Sequence, residues 1–200
     1  GGVPIGAKIG AGKYLEKDIE YLCLAGIDFI TIDGAEAASK GSPPILQDDF
    51  GVPTVFAISR AAQWIRANGY ENKVSLIASG KIRTPGEVLK VRALGADACY
   101  MGAIPLFALS HPQLHKVLPY EPPTTLVWYD SKHTRDFNVK KGATSLKNFL
   151  ESSCLELSNG IRSLGKTSYN QVSKEDLMAI DETVAKGCGV PMAYTTPIGG

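Results

Sequence analysis

Hydrophobic and polar positions along the first half of the chain follow a pattern typical of alternating strands and helices. Short apolar runs predict four β-strands, at residues 3–9, 28–32, 74–78 and 98–101. Apolar residues at helical spacing predict helices between these runs, at residues 14–25, 55–67 and 84–94. Strands that alternate with helices are typical of a parallel sheet, so the pattern predicts an α/β fold built from βα units.

The pattern changes after residue 110. Several prolines interrupt regular structure in the next segment, and we expect residues 111–144 to form a Pro-rich irregular connection. Helical spacing returns at residues 145–164 and again at 174–185, where Ser173 and Asp176 resemble a capping box. We therefore divide the chain into βα units at 1–110, the connection, and a helical appendage at 145–200.

Four βα units are half of a (β/α)₈ barrel of the TIM-barrel type, which usually takes about 250 residues. An uncovered edge of a parallel sheet tends to pair with another chain. We therefore expect the half-barrel to be completed either by a missing N-terminal half or by a second copy in a homo-oligomer.

Composition narrows the class of partner. The formal net charge is +1, and no basic block suggests a nucleic-acid surface, which leaves a small molecule as the expected partner. The sequence contains neither an apolar run of about 18 residues nor the layout of a signal peptide, so we expect a cytoplasmic protein without a membrane segment. The four cysteines are scattered and form no CxxC pair, which favours reduced structural thiols.

Two glycine-containing loops follow the last two predicted strands. Ser79, Gly80 and Lys81 come after the third strand, and Gly102 and Ala103 come after the fourth. Barrels commonly bind phosphate after strands seven and eight, where backbone N–H groups and helix N-termini favour an anion. The pair therefore predicts a phosphate site, although each glycine alone is also compatible with a simple chain turn.

Lys8 lies within an apolar strand, where a buried ammonium group requires an anionic partner. A flavin edge or a substrate carboxylate is one such partner, and the alternative is a lysine that extends to water at a strand end. Asp33 and Glu36 follow the second strand at the same end of the predicted barrel. Glu36 is a candidate for binding a substrate nitrogen, or else a solvated loop charge.

Three segments in order, AKIG, FITIDGAEAASKGSP and SLIASGKIRTPGEVLKVRALGADACYMGAIPLFAL, resemble the FMN-binding synthase domain of the glutamate synthase family. The helical segments SLKNFLESSCLELSNGIRSLGKTSY and SKEDLMAID are also similar to that family. The resemblance covers nearly the whole chain and implies the C-terminal half of the barrel.

This resemblance implies an oxidoreductase that acts on CH–NH₂ donors in glutamate biosynthesis. FMN is expected to be held by its phosphate at the loops 79–81 and 102–103, with Lys8 near the ring. Reduced flavin is expected to deliver hydride to an iminium formed from 2-oxoglutarate and ammonia. Lys8 and Glu36 are the candidate catalytic residues.

The sequence departs from the family pattern in two places. A Gly-Gly-Thr-Gly run is usual after the second strand, whereas this chain has Ala37, Ala38, Ser39 and Lys40. The family also carries three closely spaced cysteines after the last barrel strand, whereas ALSHPQLHKVLPYEPP contains none. Because iron–sulfur clusters require thiolate ligands, we predict FMN without a cluster and no metal site.

Two other functions are compatible with the same residues. The glycine pair predicts a phosphate rather than a flavin specifically, so a different phosphate-binding barrel dehydrogenase is one alternative. The altered loop after the second strand and the incomplete barrel favour the other, a non-catalytic module that binds FMN or associates with other chains.

Overall fold

The computed structural model describes residues 2–35 and 43–195, which fall into two compact units. The first, called the sheet unit, comprises Gly1–Tyr100 and Gly160–Gly200, and the second, called the helical unit, comprises Met101–Asn159. These bounds differ from the division expected at 110 and 144, because the chain returns to the sheet unit after residue 159.

The sheet unit is built on one parallel sheet in the order β1-β2-β3-β4. Its strands are β1 Gly6–Gly10, β2 Phe29–Asp33, β3 Ser75–Ser79 and β4 Ala98–Cys99. The intervening helices are α1 Leu15–Leu24, α2 Pro44–Asp48, α3 Thr54–Ala67 and α4 Pro85–Ala93. The alternation of strands and helices confirms the predicted α/β class, while α2 is an additional short helix.

The core of the sheet unit lies between the strands and their helices. Ile30 and Ile32 of β2 are fully buried, and Leu76 of β3 is 2% exposed. Ile58 of α3 and Ile19 of α1 are also fully buried, and α3 packs against β2, β3 and α1. Central strands of a parallel sheet are buried on both faces, which explains their continuous apolar runs.

At the amino edge of the sheet, the same pair of hydrogen bonds occurs twice. The Asp28 N–H donates to the Ile5 carbonyl at 2.8 Å, and its carboxylate accepts from the Ile5 N–H at 2.7 Å. Asp97 makes the same two bonds with Leu76, at 2.7 and 2.9 Å. A glycine with positive φ lies two residues before each aspartate: Gly26 at +81° and Gly95 at +116°. We call each pair of bonds an aspartate clasp.

Local chemistry places the start of α4 where the sequence predicts it. The Thr84 side chain accepts from the Glu87 N–H at 3.2 Å, and the Glu87 carboxylate accepts from the Thr84 N–H at 3.1 Å. Pro85 occupies the first helical position, where a missing N–H costs no hydrogen bond.

The last part of the sheet unit differs from the single helix expected at 174–185. Lys174–Asp176 is a short 3-10 helix, and α7 begins only at Glu182 and ends at Cys188. The Asp181 carboxylate caps α7 by accepting from the N–H groups of Thr183 and Val184. This cap explains why α7 begins at Glu182, six residues after Asp176. The Asp176 carboxylate instead accepts from the Ser173 N–H at 2.8 Å, at the start of the short 3-10 helix.

The helical unit contains more regular structure than a Pro-rich connection implies. Its elements are α5 Ala103–Ser110, the 3-10 helices His111–Lys116, Pro123–Val127 and Thr134–Asp136, and most of α6 Val139–Ser163. Asn138 caps α6, because its side-chain oxygen accepts from the Lys141 N–H at 2.9 Å. The long helix therefore begins six residues before the expected position.

Gln113 is the polar centre of the helical unit. Its side chain is fully buried, accepts from the Asn138 N–H at 2.8 Å and donates to the Asn138 carbonyl at 3.0 Å. The Lys116 ammonium group donates to the same carboxamide oxygen at 3.1 Å.

Within the described ranges, no helix combines the length and apolar character required to cross a membrane.

Candidate functional site

Lys8 and Asp33 form an ion pair at the carboxyl end of the sheet. The Lys8 Nζ lies 2.6 Å from the Asp33 Oδ2, and the two side chains are 55% and 12% exposed. The parallel register aligns Gly10 with Asp33, which brings the lysine on β1 within reach of the carboxylate on β2. Lys8 is therefore more exposed than a position within an apolar strand suggests, and its anionic partner is Asp33 of the same sheet. The contact of Lys8 with a flavin ring stays a prediction.

The loop after β3 has an unusual backbone. Gly80 has φ +102° and Lys81 has φ +56°, so two consecutive residues adopt left-handed conformations. Successive residues in such turns orient backbone N–H groups into concavities that bind anions. Ser79, which precedes them, is 8% exposed, and its carbonyl accepts from the Gly34 N–H at 2.9 Å.

Gly34, Thr54 and Gly80 form a close contact that we call the glycine junction. A Cβ at Gly80 would lie 2.9 Å from both the Gly34 nitrogen and the Thr54 Oγ1, and one at Gly34 would lie 2.0 Å from the same Oγ1. The Thr54 hydroxyl donates to the Gly80 carbonyl at 2.9 Å. The missing side chain at Gly80 thus makes room for protein atoms on that side.

Sequence reasoning missed Gly34 and Thr54 as parts of this site. The glycine directly after a strand and the threonine directly after Pro53 were the available indications. Their contact with Gly80 fixes the ends of β2 and β3 against the first turn of α3.

A cleft of about 350 Å³ adjoins the glycine junction. Cationic side chains on its lining are Lys81, Arg83 and Lys90. The Arg83 guanidinium lies 3.0 Å from the Glu87 carboxylate. Burial opposes ionisation of Glu87, but hydrogen bonds from the Arg83 side chain and from the backbone of Arg83 and Thr84 outweigh it and lower the pKa of this carboxyl group.

The second predicted phosphate loop lies in the helical unit. Gly102 immediately precedes α5, and Ala103 is the first residue of that helix. A Cβ at Gly102 would have no atom within 4 Å, so the space beside this glycine is open in the described structure. Gly80 belongs to the sheet unit and Gly102 to the helical unit. Binding of one phosphate by both loops therefore stays a prediction.

The remaining expectations about the site concern residues 36–40 and the metals. Glu36 and the altered run at 37–40 lie outside the described residues. Among residues 2–35 and 43–195, no three His, Cys, Asp or Glu side chains are grouped as metal ligands. The expected lack of an iron–sulfur cluster stays a prediction. The free thiols are Cys23, Cys99, Cys154 and Cys188.

The parallel sheet with its alternating helices defines the protein class as part of a (β/α)₈ barrel. Two solved structures share this fold over 100% of the chain, each at 18% sequence identity. One is a flavocytochrome b2 mutant with benzoylformate, with a TM-score of 0.58 and 38% of that chain covered. The other is a flavocytochrome b2 mutant with sulfite bound, with a TM-score of 0.62 and 39% covered.

The chain belongs to the glutamate synthase family, since residues 1–167 match the conserved region in glutamate synthase. It is 32% identical to the archaeal-type glutamate synthase (NADPH) of Dehalococcoides mccartyi, over 82% of this chain and 33% of the relative. It is 30% identical to a glutamate synthase large subunit-like protein of Rhizobium meliloti, over 96% of this chain and 47% of the relative. The chain therefore spans a third to a half of the length of these relatives.

Proposed function

We propose that this chain forms part of the FMN-binding barrel of a glutamate synthase-type oxidoreductase. The observation that carries the proposal is the consecutive left-handed backbone at Gly80 and Lys81, at the carboxyl end of a barrel strand in a family member. When bound, FMN would supply the hydride that reduces an iminium formed from 2-oxoglutarate and ammonia to glutamate.

The residues at the carboxyl edge have complementary roles in this proposal. Backbone N–H groups at 79–81 bind the phosphate, with a second contact from Gly102 and Ala103 at the start of α5. Lys8 is held at the same edge by Asp33 and interacts with the flavin ring. Glu36 binds the substrate nitrogen. We propose no iron–sulfur cluster, and we place the protein in the cytoplasm.

The exposed first strand supports a further part of the proposal. Gly6–Gly10 alternates between exposed and half-buried positions, unlike the buried β2. We propose that the other strands of the barrel, from the rest of the protein or from a second copy, cover this edge.

Flavin binding by the purified chain tests the proposal. We expect absorbance at about 450 nm to remain with the protein after FMN is added and excess is removed, since a bound flavin keeps its own chromophore. Gly80→Asp should abolish binding, because the new carboxylate repels the phosphate and clashes with Gly34. The control is Gly69→Asp, at a glycine of φ +73° with no atom near its Cβ position, which should bind normally.

Lys8→Met provides a second test that leaves the glycine junction intact. We expect a shifted flavin absorption spectrum and an altered redox potential, because a positive charge near the ring is lost. Unchanged flavin properties in this variant would exclude the contact with Lys8. Unchanged FMN affinity in folded Gly80→Asp would refute the phosphate site.

A dehydrogenase acting on a nucleotide or sugar phosphate is the second candidate, because the Gly80 and Lys81 backbone is suited to phosphate in general. Tight binding of such a phosphate by a colourless protein that does not retain FMN would favour it. Turnover of any substrate would exclude the non-catalytic alternative.

A further inference from the structure

A larger cavity, of about 540 Å³, lies at the amino ends of β3 and β4, away from the edge that carries Lys8 and Gly80. It lies wholly within the sheet unit, between the second half of α3, the turn before β3, the end of α4 and the segment 170–175. Neither the resemblance to the family nor the proposed flavin chemistry assigns a role to this cavity.

Part of the cavity lining is closely packed and apolar, although most of the lining is polar. A Cβ at Gly95 would lie 2.6 Å from the Ala62 Cβ, so only glycine allows α3 and the end of α4 to approach this closely. Leu76 is 2% exposed and Val172 is 3% exposed at the same surface. Charged groups that line this cavity are therefore partly removed from water on their inner side.

Two of the cationic groups at the cavity already have carboxylate partners. The Arg66 Nε lies 3.3 Å from Glu71, and the Arg92 Nη1 lies 3.4 Å from Asp97. Arg92 also donates to carbonyl oxygens, from the Nη1 to Ala96 and from the Nη2 to Asn170, and its guanidinium carbon lies 5.6 Å from the centroid of the Tyr169 ring. The Arg92 Nε is buried and has no hydrogen-bond partner.

Two lysines at the cavity have no carboxylate partner among the residues that the structure describes. The Lys174 ammonium group donates to the Cys188 carbonyl at 2.6 Å and lies 3.3 Å from the Ser59 hydroxyl. The Lys73 ammonium group lies 5.8 Å from the centroid of the Tyr70 ring. Burial lowers the pKa of Lys174, as expected for an ammonium group without a neutralising anion.

The charges at the cavity therefore favour a negative ligand. The residues that line it include two lysines without a carboxylate partner in the described structure and Arg92 with its unsatisfied Nε–H, against a single carboxylate without an ion pair, that of exposed Glu175. We propose that this cavity binds a small molecule through a carboxylate or phosphate group, with Lys73 and Lys174 as its cationic contacts. Such a site is separate from the flavin site and independent of the proposed reaction.

Trp64 offers a local reporter for this site. Its ring stacks on Tyr70 at a centroid distance of 5.8 Å, and the next two residues along α3, Ile65 and Arg66, line the cavity. Since the chain has only two tryptophans, Trp64 is the single tryptophan in the Trp128→Phe variant and the source of its tryptophan fluorescence. Titration of this variant with sodium succinate or sodium phosphate, at ionic strength kept constant with sodium chloride, should change its fluorescence to saturation.

Matched variants connect that change to the cavity. We expect Lys73→Gln and Lys174→Gln each to weaken binding by about tenfold, the loss of one charge-assisted contact. Lys13→Gln in the sheet unit makes the same charge change at a lysine that lies over the Tyr14 ring and does not line this cavity, and it should have no effect.

Each result of the titration decides the proposal. Saturation by phosphate alone, by succinate alone or by both supports it and assigns the preferred group. A missing saturable change with both anions would overturn the proposal. A saturable change that Lys73→Gln and Lys174→Gln leave unaltered would overturn it as well.

Discussion

A fully buried apolar cluster in the sheet unit and a fully buried glutamine in the helical unit stabilise the chain in different ways. In the sheet unit, Leu15, Ile30 and Ile58 are fully buried and pack against other apolar groups. In the helical unit, Gln113 is as deeply buried as Leu126, and it binds the backbone of Asn138 through both ends of its carboxamide. Apolar burial is non-directional, whereas a buried amide is stabilising only when its specific partners are present. The sheet unit should therefore be sensitive to the loss of buried apolar volume, whereas the helical unit should be sensitive to the loss of the polar partners of Gln113.

The largest expected effect follows from the apolar core of the sheet unit. Ile32→Ala removes a fully buried side chain from β2 and should lower the free energy of unfolding by about 2–5 kcal/mol. Denaturation by urea, followed by circular dichroism, measures this loss. Ile180→Ala is the control, because that side chain is 93% exposed and its loss should change stability by less than about 0.5 kcal/mol. Equal losses in the two variants would contradict the assignment of the core.

A smaller effect is expected at the polar centre of the helical unit. Gln113→Leu keeps the volume but leaves the Asn138 N–H and carbonyl without partners, at a cost of about 1–3 kcal/mol. Hydrogen exchange should show faster exchange at Asn138 and in the first turn of α6. The same substitution at exposed Gln63, which makes one hydrogen bond to Ser59, should cost less. An equal cost at both positions would remove the distinction between the two units.

The smallest effect tests a charged contact within the sheet unit. Asp176 pairs with Lys166, and their side chains are 13% and 19% exposed. The hydrogen bond from Lys166 and that from the Ser173 backbone lower the pKa of Asp176. Asp176→Asn should therefore lower stability at neutral pH by about 1 kcal/mol, near the upper end for surface pairs.

The pH dependence of that loss has a definite sign. Because the pKa of Asp176 is lowered by folding, its contribution is complete above the ordinary aspartate value and is lost as the pH falls through the lower folded value. The stability difference between wild type and Asp176→Asn should accordingly shrink only in acid. A difference that persists at low pH would show that the carboxylate charge is not its cause. Glu182→Gln, in the exposed pair with Lys186, should change little at any pH.

The sequence predicted the sheet unit well because its chemistry is local and periodic. The apolar runs located the four strands within three residues at each end, and the helical spacing predicted from residue 84 placed the start of α4 within one residue. The helical unit was harder to predict, since Gln113 and Asn138 are 25 positions apart and neither belongs to a periodic pattern. A hydrogen bond between distant polar residues leaves no mark on hydrophobic spacing.

In the candidate site as well, features that are local in the sequence were predictable, and contacts between distant residues were not. Gly80 and Lys8 stand out in the sequence as a glycine at a strand end and a cation in an apolar run, so their locations were predictable. Their immediate partners, Thr54 and Asp33, come from other strand ends and helix starts, and only the parallel register brings them together. The origin of the glycine requirement at position 80 was therefore visible only in three dimensions.

The aspartate clasps separate two tasks that a barrel must perform. A slip of one residue in a strand would turn every side chain to the opposite face, and Asp28 and Asp97 oppose such a slip from the amino edge. Both clasps lie at the opposite edge from the ion pair of Lys8 and Asp33. A substitution at Lys8 can therefore alter the proposed flavin contact while the clasps keep the strands in register.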